Sequence, residues 1–119
     1  MKYLENIGFS AEEMEQVKNN NQELTMNELE KQEKIVSSNI DYLKQLGVTN
    51  YKELFINYSE FFLQENSVFE KIFSKYDRED LIEKLKKNPA IMIRLWAILM
   101  NRFSLLEKVW YNYVINLFS

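Results

Sequence analysis

The sequence predicts a compact all-α domain of about six helices, and three observations favour this fold class. Only 2 Gly and 1 Pro occur in 119 residues, so few residues interrupt a helix. Residue pairs typical of helix N-termini recur along the chain, and apolar residues follow them at the spacing of one helix face. Because the length suits one hydrophobic core, we expect a single domain over residues 1–119.

Capping residues predict where the helices begin. In a capping box, a Ser or Thr hydroxyl and a Glu three positions later each accept a backbone N–H of the first turn. Thr49 and Asp77 are expected to cap two further helices. Three capping boxes are predicted: Ser10 with Glu13, Thr25 with Glu28, and Ser67 with Glu70.

Glycine, proline and an asparagine run predict where helices end or restart. Gly8 and Gly47 lie where a preceding helix should stop, and residues 19–21, all Asn, mark a further break. Pro89 suits the first turn of a last helix, because the N–H it lacks would be unpaired there. These signals predict helices near residues 10–20, 25–46, 49–58, 66–76, 78–87 and 89–117.

The predicted helix 25–46 is apolar along one face, as expected of a helix packed on a core. That face consists of Leu29, Ile35 or Val36, Ile40, Leu43 and Leu46.

The chain also carries a degenerate repeat. Residues 3–10 (YLENIGFS) match residues 42–49 (YLKQLGVT), and residues 72–77 align with residues 42–47 in a third copy. With a helix pair in each unit, this period is typical of short helical-repeat arrays. We therefore expect degenerate helical repeats packed on a long C-terminal helix.

The repeated pattern resembles that of mitochondrial transcription termination factor-like proteins. Its best copies are residues 43–49 (LKQLGVT) and residues 81–92 (LIEKLKKNPAIM), and the similarity extends over about three imperfect units. The resemblance implies stacked helical repeats, and it implies binding of nucleic acid along a basic inner surface.

Composition excludes several kinds of chemistry. With no Cys and no His, the chain cannot build a disulfide, a thiolate nucleophile, a Ser–His–Asp triad or a His-containing di-iron site. Two glycines, Gly8 and Gly47, are too few for a phosphate-binding loop. We therefore expect a protein that is not an enzyme and holds no cofactor and no metal.

The sequence shows no targeting or membrane signal. Residues 1–5 contain no apolar run, and the longest uninterrupted apolar run of the C-terminal segment is residues 95–100, too short to span a bilayer. We expect a cytoplasmic protein without membrane association. The abundance of residues with AT-rich codons indicates a low-GC bacterium, its phage or its plasmid.

Charge is distributed unevenly. Residues 1–68 hold 12 acidic and 6 basic residues, whereas residues 69–119 hold 6 acidic and 9 basic ones. The acidic half could face a basic partner such as a nucleic-acid-binding protein, or it could be a solvated helix surface. The basic half could contact phosphates, or its lysines could simply complement the dipole at the end of helix 78–87. The candidate nucleic-acid contacts are Lys84, Lys86, Lys87, Arg94 and Arg102.

Aromatic residues recur every seven positions in the predicted last helix. A seam of this kind is either the core around which shorter helices pack or an interface with a partner or a second copy. Because few helices remain to cover so long a helix, its C-terminal part is the favoured interface. The candidate interface residues are Trp96, Phe103, Trp110, Tyr113 and Leu117.

The sequence therefore favours a non-enzymatic protein-binding module that acts as a small regulator or inhibitor, either as a monomer or as a homodimer. The alternative is a nucleic-acid-binding helical-repeat module.

Overall fold

The fold consists of helices alone throughout residues 1–100, which are the residues that the computed structural model describes, without the side chains of Trp96, Ile98, Leu99 and Met100. The predicted all-α class is confirmed over this part of the chain. Its elements are α1 (Lys2–Ile7), α2 (Ala11–Asn20), α3 (Glu23–Lys31), α4 (Glu33–Leu46), α5 (Tyr51–Asn57), a 3₁₀ helix (Ser59–Leu63), α6 (Asn66–Ser74), α7 (Arg78–Lys87) and α8 (Ile91–Met100).

Two glycine turns end α1 and α4 as predicted. Gly8 has φ 120° and Gly47 has φ 104°, a region that side-chain-bearing residues rarely enter. In both turns the residue after the glycine donates its N–H over 3.0 Å to the carbonyl five positions earlier, on Leu4 and on Leu43. This is the Schellman arrangement, and it turns the chain directly into the next helix.

Two of the predicted N-caps are confirmed. The Ser10 hydroxyl accepts the N–H of Glu13 over 3.0 Å, and the Glu13 carboxylate accepts the N–H of Ser10 over 2.9 Å. The Asp77 carboxylate accepts the N–H of Asp80 over 3.1 Å at the start of α7. α7 spans Arg78–Lys87, as predicted.

Three predicted caps are wrong. Thr25 lies inside α3 and is buried, so its hydroxyl is enclosed instead of capping. α6 begins one residue before Ser67, and α5 begins after Asn50, leaving Thr49 in the turn. A capping pattern specifies a possible hydrogen bond, but neighbouring helices decide whether the backbone starts its first turn there.

The predicted helix 25–46 is also wrong, because it is two helices. The backbone leaves helical geometry at Gln32, where φ is −98° and ψ is 39°. No residue at this point forbids a helix. Both parts pack on the 3₁₀ helix, and α4 packs also on α1, α5 and α6, contacts that the local sequence does not specify.

The 3₁₀ helix was not predicted, and buried amides hold it in place. Asn39 is fully buried on α4, and its Nδ2 donates to the carbonyls of Phe62 and Gln64 over 2.9 and 2.8 Å. Asn66 donates to Asn39 Oδ1 over 2.7 Å. These bonds satisfy carbonyls that a short 3₁₀ segment leaves unpaired inside the protein.

The first two units of the predicted repeat pack like element on like element. α1 packs on α4 and α2 on α5, the pairs that the alignment of residues 3–10 with residues 42–49 brings together, whereas α3 packs on the 3₁₀ helix and α6 packs on α4. Such pairing is expected of a helical repeat. The core lies between these rows, and its fully enclosed side chains are Leu4, Val17, Leu29, Val36, Ile40, Leu43, Leu54, Phe55, Phe62 and Leu85.

α8 packs on α6 and α7 through Met92 and Leu95, both buried. Pro89 lies in the turn before it. The remainder of the predicted helix 89–117 lies outside the described residues. No described helix is long and apolar enough to cross a bilayer.

Candidate functional site

An open polar groove lies between α2 and α5. Its volume is about 490 Å³. α2 and α5 each contribute residues three or four positions apart, which places them on one face of their helix. The groove is lined by Glu13, Gln16, Asn19 and Asn20 of α2 and by Glu53, Ile56 and Asn57 of α5.

Three contacts hold α5 against the end of α1 and the length of α2. Asn20 Nδ2 donates to the carbonyl of Ile56 over 3.1 Å. Lys52 Nζ donates to the carbonyl of Gly8 over 2.7 Å and lies 3.8 Å from the carboxylate of Glu13. The groove walls are therefore fixed by bonds that leave most of its lining side chains unused.

The unused side chains are polar and exposed. Gln16, Asn19, Glu53 and Asn57 make no hydrogen bond or ion pair through their side chains within the described part of the chain. Their amide and carboxylate atoms are therefore available to a ligand. By contrast, the Asn20 amide is committed to the protein backbone.

Glu13 is held in its charged form. The N–H of Ser10, which donates to its carboxylate, lowers the pKa of Glu13 below the ordinary value, and the nearby Lys52 ammonium lowers it further. The groove thus presents two carboxylates, those of Glu13 and Glu53, beside three free amides. Such a surface can accept hydrogen bonds from cationic groups and can exchange hydrogen bonds with a peptide backbone.

The predicted nucleic-acid contacts lie at the opposite end of the described chain. Lys84 pairs with Asp80 and Lys87 with Glu83, each over 2.9 Å and four residues apart on α7. The bond to Lys87 lowers the pKa of Glu83 and raises that of Lys87, so both stay charged. These pairs neutralise two of the predicted contacts locally.

The other predicted basic contacts are less engaged. Lys86 on α7 and Arg94 on α8 are exposed, and neither forms an ion pair within residues 1–100. Arg102 lies outside the described residues. The structure therefore brings four of the five predicted contacts onto two consecutive helices that pack together.

The predicted aromatic interface lies outside the described residues, apart from the backbone of Trp96. Trp96 is on α8, but its side chain is not described, and Phe103, Trp110, Tyr113 and Leu117 lie beyond residue 100. The assignment of this seam to core or interface stays a prediction.

Outside the groove, the titratable side chains of Tyr3 and Glu60 are buried and half-buried, respectively. The Tyr3 hydroxyl donates to the carbonyl of Leu29 over 2.6 Å, and burial raises its pKa. Burial also raises the pKa of the half-buried Glu60.

Among the described residues, no group of three or more acidic side chains is arranged to hold a metal ion.

Sequence reasoning missed the α2–α5 groove. The spacing of Glu13, Gln16 and Asn20 along α2 was a visible signal for one polar helix face. The partner face on α5 was not visible, because contact between residues so far apart in sequence arises only from tertiary packing.

Comparisons of this chain with protein-family models, with curated proteins and with solved structures find no match.

Proposed function

We propose that this protein is a non-enzymatic module that binds a protein with a basic surface and acts as a small regulator or inhibitor. The observation that carries the proposal is the acidic surface formed by residues 1–68. Of the 12 acidic residues there, only Glu13 and Glu28 form ion pairs within residues 1–100, at 3.8 and 3.9 Å. Because these residues also include 6 basic ones, residues 1–68 carry a net charge of −6 (6 − 12).

Such a net charge favours association with a positively charged partner. Clustered charge of one sign accelerates encounter with the opposite sign and disfavours partners of the same sign. Exposed acidic residues on α2, α3 and α4 contribute most of it. They include Glu12, Glu15, Glu23, Glu30 and Glu33.

The predicted basic contacts on α7 and α8 are partly neutralised. Lys84 and Lys87 are paired on α7, which leaves Lys86 and Arg94 as the predicted contacts without an ion pair in this part of the protein. These two predicted contacts by themselves give little affinity for a polyanion at physiological salt, since each phosphate contact is screened. This contrast supports a protein partner over nucleic acid.

Capture of partners by the tagged full chain, in lysate of its source cells with and without nuclease, tests the proposal. Two variants make the result specific. One replaces Glu12, Glu23, Glu30 and Glu33 by Gln, and the matched control replaces Lys86 and Arg94 by Gln. We expect a basic protein that is retained after nuclease treatment, lost from the acidic variant and kept by the control. Far-ultraviolet circular dichroism should show both variants folded, because the replaced side chains are exposed.

The opposite pattern would reject the proposal. If recovery collapses with nuclease and with the Lys86 and Arg94 control, the basic end carries the function. If all three proteins retain the same material, the acidic surface is not the determinant.

A nucleic-acid-binding helical-repeat module is the second candidate, favoured by the grouping of Lys84, Lys86, Lys87 and Arg94 on two adjacent exposed helices. It predicts an affinity for a labelled DNA or RNA duplex that falls steeply as salt rises. Fluorescence anisotropy at low salt measures this directly, and absence of binding there excludes the candidate.

A further inference from the structure

We infer that the α2–α5 groove receives an arginine- or lysine-bearing segment of the basic partner. The inference rests on the proposed function and assigns the partner's contact to one place on the acidic surface. The place is defined by the groove residues Glu13, Gln16, Asn19, Glu53, Ile56 and Asn57.

The groove combines charge with unused hydrogen-bonding groups. The carboxylates of Glu13 and Glu53 can accept charge-assisted bonds from a guanidinium or an ammonium group. The side-chain amides of Gln16, Asn19 and Asn57 each offer both a donor and an acceptor, which suits the alternating N–H and C=O groups of a peptide backbone. A carboxylate-only surface would lack this second capacity.

The apolar part of the lining suits the stem of a long basic side chain. Ile56 is nearly buried, at 9% exposure, and lies between polar neighbours on α5. Arginine and lysine bury their methylene stems on such surfaces while the charged head reaches polar groups. An entirely apolar ligand would leave the carboxylates and amides without partners.

Other ligand classes fit the groove less well. The carboxylates would repel a phosphate or another anion across a distance shorter than the screening length. A divalent cation would find two carboxylates in the lining, and the described residues contain no set of three acidic ligands placed together. The 490 Å³ volume lies within the range of ligand sites, yet its lining is more polar than that of a small-molecule pocket.

The nearby Lys52 engages only one of the groove's recognition groups, because it lies 3.8 Å from Oε1 of Glu13. Its ammonium donates to the Gly8 carbonyl over 2.7 Å and lies 5.7 Å from the centre of the Phe9 ring. It is therefore held at the end of α1, and it leaves Glu53 and the three free amides unpaired.

Binding of a short arginine–glycine peptide to the ¹⁵N-labelled full chain tests the inference. The matched ligand carries citrulline in place of arginine, which keeps the shape and removes the charge. We expect the arginine peptide to shift amide signals of α2 and α5, and we expect the citrulline peptide to bind at least about fivefold more weakly.

Two variants locate the contact. E53Q combined with N57A alters the groove, and both side chains are exposed and unpaired, so folding should be unaffected. E15Q removes the same charge from α2 outside the groove. We expect the groove variant to lose about fivefold or more in affinity and E15Q to stay within about twofold.

Equal losses in the two variants would mean that binding follows overall charge, and the groove assignment would be wrong. Shifts confined to residues outside α2 and α5, or no binding of the arginine peptide, would overturn it as well. The capture experiment tests the proposed function independently of the groove assignment. If the capture experiment yields a nuclease-resistant basic partner that E53Q/N57A retains as well as the wild type does, only the groove assignment is lost.

Discussion

The two glycine turns share a sequence pattern and a backbone geometry but differ in how the rest of the protein supports them. Both end a helix through a glycine at positive φ, and both place a leucine with 0% exposure, Leu4 or Leu43, five positions before the donating N–H. The next helix begins differently in each. After the first turn, Ser10 forms a capping box with Glu13. After the second turn, the N-cap residue Asn50 forms no side-chain cap, and its Nδ2 donates to the carbonyl of Leu85 over 3.1 Å.

A cation from a helix later in the chain caps each turn. Lys52 of α5 binds the carbonyl of Gly8, and Arg78 of α7 binds the carbonyl of Leu46 over 2.6 Å. Lys52 also lies near Glu13 and over the ring of Phe9. The comparison shows that a local pattern ends a helix in the same way twice, while different distant residues stabilise the two ends.

The largest expected difference concerns the two leucines. L43A should cost about 3–4 kcal/mol of unfolding free energy and L4A about 2–3 kcal/mol. Leu43 lies on α4, which packs on α1, α5, α6 and the 3₁₀ helix, so the cavity would be enclosed on more sides than at Leu4. Urea denaturation measures both. A larger loss in L4A would show that the first turn, not the second, anchors the core.

The second-largest difference should be in the unfolding free energy lost on replacing each glycine by alanine. G47A places a Cβ 3.2 Å from Ile82 Cδ1 and 3.3 Å from Arg78 Nη2, whereas in G8A the nearest atom is Lys52 Nζ at 3.7 Å. Both substitutions force an alanine to positive φ, which costs about 1–2 kcal/mol. We expect G47A to cost about 1 kcal/mol more than G8A because of the extra crowding. Equal losses in urea denaturation would mean that Ile82 and Arg78 move aside.

Replacing the two capping cations, Lys52 and Arg78, should lower the stability of the protein by smaller amounts. K52M should destabilise the protein by about 1 kcal/mol, because it removes a charged hydrogen bond and a contact with Glu13. R78M should cost about 0.5 kcal/mol, since Arg78 is exposed to solvent, where its bond is screened. K34M, on the exposed first turn of α4, is the matched control. Thermal unfolding measures the stability of the three variants. If K34M loses as much stability as K52M, the contacts of Lys52 do not stabilise the first turn.

The smallest expected effect is a pH dependence at the first turn. The Ser10 N–H and Lys52 lower the pKa of Glu13 in the folded state below its ordinary value, so its stabilising contribution is present above the unfolded-state pKa. It should fade as pH drops through the lowered folded-state pKa. The stability difference between the wild type and E13Q should therefore shrink in acid. E12Q, at an exposed carboxylate outside the capping box, controls for loss of charge, and a difference that is constant down to acid pH would contradict the assignment.

Local sequence was sufficient wherever one residue type satisfies a backbone requirement by itself. Gly8 and Gly47 end their helices because only glycine enters positive φ without strain. Ser10 and Asp77 cap because a short side chain can reach the N–H groups of its own first turn. The bounds of α7 and the helical class of the described chain follow from the same local rules.

Tertiary packing decided the features that depend on distant neighbours. The chain breaks at Gln32, where no local signal ends a helix, and Val36 is more enclosed than Ile35, a choice that the apolar spacing left open. The 3₁₀ helix depends on Asn39, and the α2–α5 groove depends on a helix pairing that no local pattern encodes. Sequence alone thus determined which segments are helical and where several of them stop, because those bonds close within a few residues. Which faces meet, and which polar groups stay free to bind, depended on burial of apolar surface between residues far apart in the chain.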